Sequence, residues 1–425
     1  MTRETTPSPE PTARAGRPGA VLALATVGFS LNFWAWALLS PLAPRFKEAL
    51  DLTAFQQALI VAVPVVVGSL GRIPVGALTD RYGARVMFPA VSFATIVPVL
   101  YLGLWGSTSL TGLLVGGFFL GIGGTAFAVG VPLVNSWFPP NRRGFAIGVF
   151  GAGMGGTAIS ALTTVKLVDA GSITTPFLIT AIALAAYGVL AAVVMRDAPG
   201  RQVPTESFAR RMRATVALPI TWQAAALYAV GFGAYVAFSV YLPAYLKTGY
   251  DLGQADAANR MAGFVVLAVI MRPVGGWLSD RLHPTKVMMW AFAVVAVAAT
   301  VQSATPSLAP VGTVAFLAMA ASLGAASGAT FALVALLAPA NKVGSVTGVV
   351  GAAGGLGGFV PPLLMGSLYE VYGSYTLALL LLAGVAVGAL ALDATIGRRA
   401  GGSGGAGRSR SPKRSEERGR GTALA

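Results

Sequence analysis

Two arginines stand where the surrounding sequence offers them no water. Arg72 closes the apolar run "ALIVAVPVVVGSLG", and Arg272 closes "VLAVIM" exactly one repeat length, 200 residues, later. A guanidinium is planar, always charged, and presents its N–H donors as a rigid fork that matches a planar oxyanion with paired hydrogen bonds. Two such groups aimed at one point would clamp a small anion from both sides. The chemistry on offer is recognition, with no bond made or broken.

The alternative is a buried salt bridge, so a carboxylate partner has to be sought. The chain has 15 Asp and Glu. Each of them reads as part of a loop, a tail or the end of an apolar segment, and Asp393 is read as the last residue of such a segment. Two central cations with no internal counter-ion then require an anion from solution. Gly68 and Gly76 lie four residues either side of Arg72, and Ala268 and Gly276 do the same for Arg272. Residues at that spacing share a helix face. Each guanidinium is therefore expected to project from a groove of small residues, which also suits close helix packing in a membrane.

The elements that must position these groups follow from composition. Hydrophobic residues make up 55% of the chain and charged residues 11%, against about 25% charged in soluble domains. Apolar stretches of about 20 residues, the length that crosses the hydrocarbon layer as a helix, are expected near 20–41, 56–77, 86–105, 110–136, 144–166, 174–195, 218–245, 258–279, 286–304, 309–337, 343–367 and 372–393. The expected class is an all-α polytopic membrane protein with the lipid bilayer as its medium. With both ends on one side, 23 of the 30 Lys and Arg fall on that side and 5 on the other, so the positive-inside rule predicts cytoplasmic termini in an inner (plasma) membrane. The net charge of +15 is thereby read as topology, with no nucleic-acid partner. The polar N-terminal stretch runs straight into a span too long for a signal peptide. The chain has no cysteine and a single histidine, His283. That excludes disulfides, thiolate chemistry and a histidine metal cluster. With no catalytic constellation either, neither an enzyme nor a cofactor or metal is expected.

The chain also repeats itself. Arg72, Gly76, Leu78, Asp80 and Arg81 recur as Arg272, Gly276, Leu278, Asp280 and Arg281, and "GFAIGVFGAGMGG" from Gly144 faces "GSVTGVVGAAGGL" from Gly344. Six spans separate the copies, so the halves are parallel, an arrangement in which substrate sits between them near the midplane. The expected plan is an N-terminal tail (1–19), a six-helix half (20–195), a basic linker (196–217), a second half (218–393) and a disordered basic tail (394–425). Asp80 belongs at the membrane interface, and Arg72, eight residues earlier on the same helix, lies about 12 Å deeper. That is close to the bilayer centre, where a charge costs at least ~2.5 kcal/mol and marks a functional candidate.

At this level the chain resembles the major facilitator superfamily, whose fold is twelve helices in two six-helix halves. "GALTDRYGAR" matches its loop motif at Gly76, Asp80, Arg81, Gly83 and Arg85, and "GWLSDRLHPTK" is a weaker copy at Gly276, Asp280 and Arg281 that lacks the second glycine. The resemblance implies a gating role for these residues, with Asp80 accepting hydrogen bonds from helix N-termini or arginines. "GIGGTAFAVGVPLVNSWFPPNRRGFAIGVFGAGMGGTA", "GAAGGLGGFVPPLLMG" and "NFWAWALLSPLAP" look like the nitrate/nitrite porter family within it. That resemblance implies an anion clamp by Arg72 and Arg272, with Phe127 and Tyr228 lining the site. It also implies that backbones come close to the anion at Gly151, Gly153, Gly351 and Gly354. The chain departs from the family at Met154, where "G-x-G-N" places asparagine. Methionine donates no hydrogen bond, which bears on the choice between nitrate and nitrite. The expected function is transport of nitrate and nitrite by a monomer, by exchange or with a proton. The alternatives are a small-carboxylate exchanger of the oxalate/formate type and, more remotely, a membrane anion sensor.

Overall fold

The computed structural model describes residues 17–199, 207–339 and 342–406. The expected tails over 1–16 and 407–425, and part of the linker, lie outside these residues. Twelve helical spans cover the described chain: α1 Pro18–Ala49, α2 Ala54–Tyr82, α3 Ala84–Leu104, α4 Leu110–Trp137, α5 Ala146–Ala170, α6 Thr175–Val194, α7 Pro219–Tyr250, α8 Gln254–Leu282, α9 Pro284–Ser303, α10 Leu308–Leu337, α11 Ser345–Tyr372 and α12 Thr376–Arg398. Among the described residues there is no strand. An even number of crossings returns the chain to the face it left, called here the terminal face.

Several spans are interrupted, and the local sequence says why. In α2 the helix breaks at Gly71. Pro74 has no N–H to donate to the Leu70 carbonyl four residues before it, so the hydrogen-bond ladder lapses there. In α4 the run Gly121–Thr125 and in α5 the run Ala152–Gly155 tighten to 3₁₀ geometry. In α11 the break at Gly358 and Phe359 precedes Pro361 and Pro362. Breaks in α2, α4 and α5 adjoin Arg72, Gly124 and Met154, the neighbourhood of the two arginines.

Two expectations about boundaries are corrected. The last helix does not end at Asp393 but continues to Ala406, since nothing in "ATIGRRA" breaks a helix. Asp393 therefore sits inside a helix and is 1% exposed, so one span does carry a buried carboxyl. The linker contains a helix, Phe208–Val216, whose N-terminus is capped by the Ser207 hydroxyl accepting from Arg210 N–H.

The halves are clasped at the face opposite the termini. Ser40 Oγ donates to the Val240 carbonyl at 2.6 Å, Gln254 Nε2 to the Pro41 carbonyl at 2.7 Å, and the Phe55 N–H to Glu370 at 3.1 Å. Lys247 pairs with Glu48. Toward the terminal face, open space adjoins Gly151, Gly155, Gly276 and Gly348.

The α2–α3 turn needs a glycine. Gly83 has φ +86°, and a Cβ there would run into the Asp197 carboxylate. That carboxylate caps α3, accepting from Ala84 N–H at 2.8 Å and Arg85 N–H at 3.2 Å. Gly83→Ala is expected to cost about 1–3 kcal/mol from the backbone alone. It should lower the melting temperature in detergent by several degrees, whereas Gly384→Ala, in open space within α12, should leave it unchanged or raise it slightly, since alanine favours a helix interior over glycine.

Candidate anion-binding site

Arg72 enters the site from α2, just past the break. α2 and α4 approach so closely that a Cβ on Gly68 would stand 3.3 Å from Gly124 Cα. This proximity lets Arg72 Nε reach the Gly124 carbonyl at 3.4 Å. Its Nη1 donates to the Gly351 carbonyl of α11 at 2.7 Å, across the seam between halves. The guanidinium carbon lies 5.2 Å from the Phe127 ring centre and 6.0 Å from that of Phe232. The side chain is buried, at 9% exposure.

Arg272 enters from α8 of the other half and is part-buried. Nη2 donates to the Tyr228 hydroxyl of α7 at 2.9 Å, and Nη1 meets the Met154 sulfur of α5. Its guanidinium carbon is 5.2 Å from the Phe232 ring centre. One ring thus receives both cations, each attracted to its π face. Tyr228 and Phe232, one turn apart on α7, stack at 4.7 Å with 6° between their planes.

Among the described residues no carboxylate lies within salt-bridge distance of Arg72 or Arg272. Their partners are two carbonyls, a phenol, a thioether and aromatic faces, all formally neutral. Both positive charges therefore stay unbalanced. Arginine's five donors are also only partly used by these partners, so donors remain for an anion.

The structure gathers Arg72, Arg272, Phe127, Tyr228, Met154 and Gly351 into this one place. Gly151 borders open space. Gly153 instead packs against Phe29, and Gly354 against Tyr228 and Phe232. Gly354 thus makes room for two rings of the site, and Gly153 for Phe29, which packs behind Phe127 at 5.7 Å between ring centres. Phe232 was not foreseen; its only signal is the four-residue spacing from Tyr228.

At the terminal face the loop motif behaves partly as expected. Asp80 pairs with Arg211 of the linker helix, and Lys342 Nζ reaches the Ala214 carbonyl of the same helix at 3.4 Å. The linker helix therefore bridges the two halves. Capping of α3 falls to Asp197, not Asp80. Gly76 lies 4.0 Å, at its would-be Cβ, from Ala128, and Arg85 is exposed. Arg81 lies 5.4 Å from the Tyr82 ring centre and Arg281 4.2 Å from that of Trp277. Gly276 borders open space, and Asp280 is exposed. In the second copy His283 occupies the turn at φ +82° and caps α9 through Nδ1.

The family described as Major Facilitator Superfamily matches residues 25–362 and 255–413. The chain is 46% identical over 368 residues, 86% of its length and 93% of the relative's, to the probable nitrate/nitrite transporter NarK2 of Mycobacterium tuberculosis (strain ATCC 25618 / H37Rv). It is 33% identical over 287 residues, 68% of its length and 72% of the relative's, to the nitrite extrusion protein of Bacillus subtilis (strain 168). In fold it is similar to a bacterial homolog of the human lysosomal transporter Spinster, in an inward-facing and occupied conformation. The TM-score is 0.72 at 17% identity, over 90% of this chain and 98% of that one. The chain belongs to the major facilitator superfamily and, within it, to the nitrate/nitrite porters.

Proposed function

We propose that this protein moves nitrate and nitrite across a membrane by alternating access, with the anion held between Arg72 and Arg272. The observation that carries the reading is the pair of guanidinium groups facing one aromatic ring with no carboxylate among the described residues beside them. The relatives at 46% and 33% identity, a nitrate/nitrite transporter and a nitrite extrusion protein by name, support the choice of anion.

Each residue has a part in this reading. Arg72 and Arg272 supply charge and forked donors. Phe127 and Phe232 give the planar anion apolar faces to lie between, and Tyr228 orients Arg272. The carbonyl of Gly351 holds Arg72 at the seam between the halves, and the anion competes with it for that donor. The terminal face is cytoplasmic, from the excess of Lys and Arg there, and the arrangement described is then open to the cytoplasm and shut outside. Asp80, Arg211 and the linker helix bias that state, and the carrier works as a monomer. Since the empty site keeps two unbalanced cations, its return is slow and exchange of one anion for another is the favoured mode.

Arg72→Ala or Arg272→Ala should abolish uptake of labelled nitrate into proteoliposomes while leaving insertion intact. The lysine variants should bind nitrate about 10- to 100-fold more weakly, the loss of one charged hydrogen bond; wild-type flux in either alanine variant would end the clamp. Liposomes preloaded with nitrite should take up nitrate at least about tenfold faster than empty ones, the size of a 1.4 kcal/mol barrier difference. Equal rates would exclude obligatory exchange, and strong competition by oxalate would favour a carboxylate exchanger. Met154→Asn adds an amide donor and frees Arg272 Nη1, so it should tighten nitrate binding by about three- to tenfold, read by titration calorimetry.

A further inference from the structure

Among the described residues the clamp leaves one buried carboxyl without a task. Among the described residues only Arg72 and Asp393 are charged side chains in the buried class. Asp393 is 1% exposed, and its Oδ1 meets no hydrogen-bond partner. It lies on α12 among buried neighbours, Ala389 a turn before it and Ile396 a turn after, and α12 packs mainly on α9 and also on α7. An alanine there would pack without this orphaned oxygen, so filling space does not account for a carboxyl.

A polar route leads toward it from the terminal face. One turn beyond Asp393, Gly397 rests against Thr285 of α9; a methyl group at Gly397 would stand 3.3 Å from Thr285 Oγ1. That hydroxyl is 2.9 Å from His283 Nδ1. His283 is the sole histidine of the chain, part-exposed in the loop before α9. Imidazole, hydroxyl, a notch with no side chain and carboxyl thus succeed one another along the α9–α12 seam. The charged groups on the packed elements near this level are Lys286 on α9 and Arg398 on α12, and both are exposed. α7 carries no ionisable side chain between Pro219 and Leu227. α11 meets α12 at the opposite face, where Tyr369 and Tyr375 stack.

We propose that Asp393 is a proton-binding site, reached from the terminal face through His283 and Thr285, whose occupancy sets the rate of transport. A carboxyl oxygen buried without a donor is tolerated when the group carries a proton, or when the seam opens to bring water to it. Loss of the proton therefore loosens α12 from α9. α12 also packs on α7, the helix of Tyr228 and Phe232, and its start is joined to that helix where Tyr375 meets Tyr241 and Tyr245; in this proposal α7 passes the movement of α12 to the anion site. The transport half of this inference rests on the nitrate reading above; the proton site itself does not.

The test uses the full chain with buffers of equal pH on both sides of the liposome. Wild-type nitrate/nitrite exchange should slow at least about fivefold from acid to alkaline buffer, and its melting temperature in detergent should fall over the same interval. Asp393→Asn mimics the protonated group, so both its exchange rate and its melting temperature should stay at the acid values throughout. Wild-type and Asp393→Asn profiles that coincide in both measurements would overturn the proposal. If wild-type liposomes exchange no nitrate at any pH, the substrate reading fails, and the melting curves alone then decide whether Asp393 holds a proton.

Discussion

Much of this structure answers to two permanent positive charges, Arg72 buried and Arg272 part-buried, with no acidic partner among the described residues. Burying a cation alone is expensive, and the protein meets the cost with neutral groups: the carbonyls of Gly124 and Gly351, the hydroxyl of Tyr228, the sulfur of Met154 and the faces of Phe127 and Phe232. Each satisfies donors or offers a little electron density. None cancels charge. In the mechanism proposed above, the residual field is what draws a monoanion in and slows the return of the unloaded carrier.

The helical breaks serve the same end. Carbonyls inside a regular helix are committed to the next turn, so a cation facing an intact helix finds few acceptors. The tightened run at Gly121–Thr125 and the small residues around Gly68 bring a carbonyl within reach of Arg72. The break at Gly71 sets the direction from which that side chain leaves α2. Density of glycine therefore does two separate jobs here. At Gly351 and Gly124 it exposes main chain, while at Gly153 and Gly354 it makes room for Phe29 and for the Tyr228–Phe232 pair.

What could be read beforehand divides along the same physical line. A charge in an apolar run is conspicuous, so Arg72, Arg272, the twelve crossings and the repeat were visible without coordinates. Phe127 and Tyr228 were visible only through family resemblance, because an aromatic residue in a membrane helix equally suits core or lipid. Phe232 was invisible for that reason. Asp393 was misplaced because the polar, glycine-rich sequence after it resembles a tail, whereas the helix runs on to Ala406. The Asp80–Arg211 pair joins residues 131 apart, and nothing local announces such a partner.

The clasp on the far face has a consequence of its own. Three of its four bonds end on main-chain atoms: the carbonyls of Val240 and Pro41 and the N–H of Phe55. A side chain can be exchanged at any of those positions without removing the atom that does the holding. The clasp is thus buffered against genetic drift at one end of three of its bonds, leaving Ser40, Gln254 and Glu370, together with the Lys247–Glu48 pair, as the places where a lineage could retune how firmly this face is held.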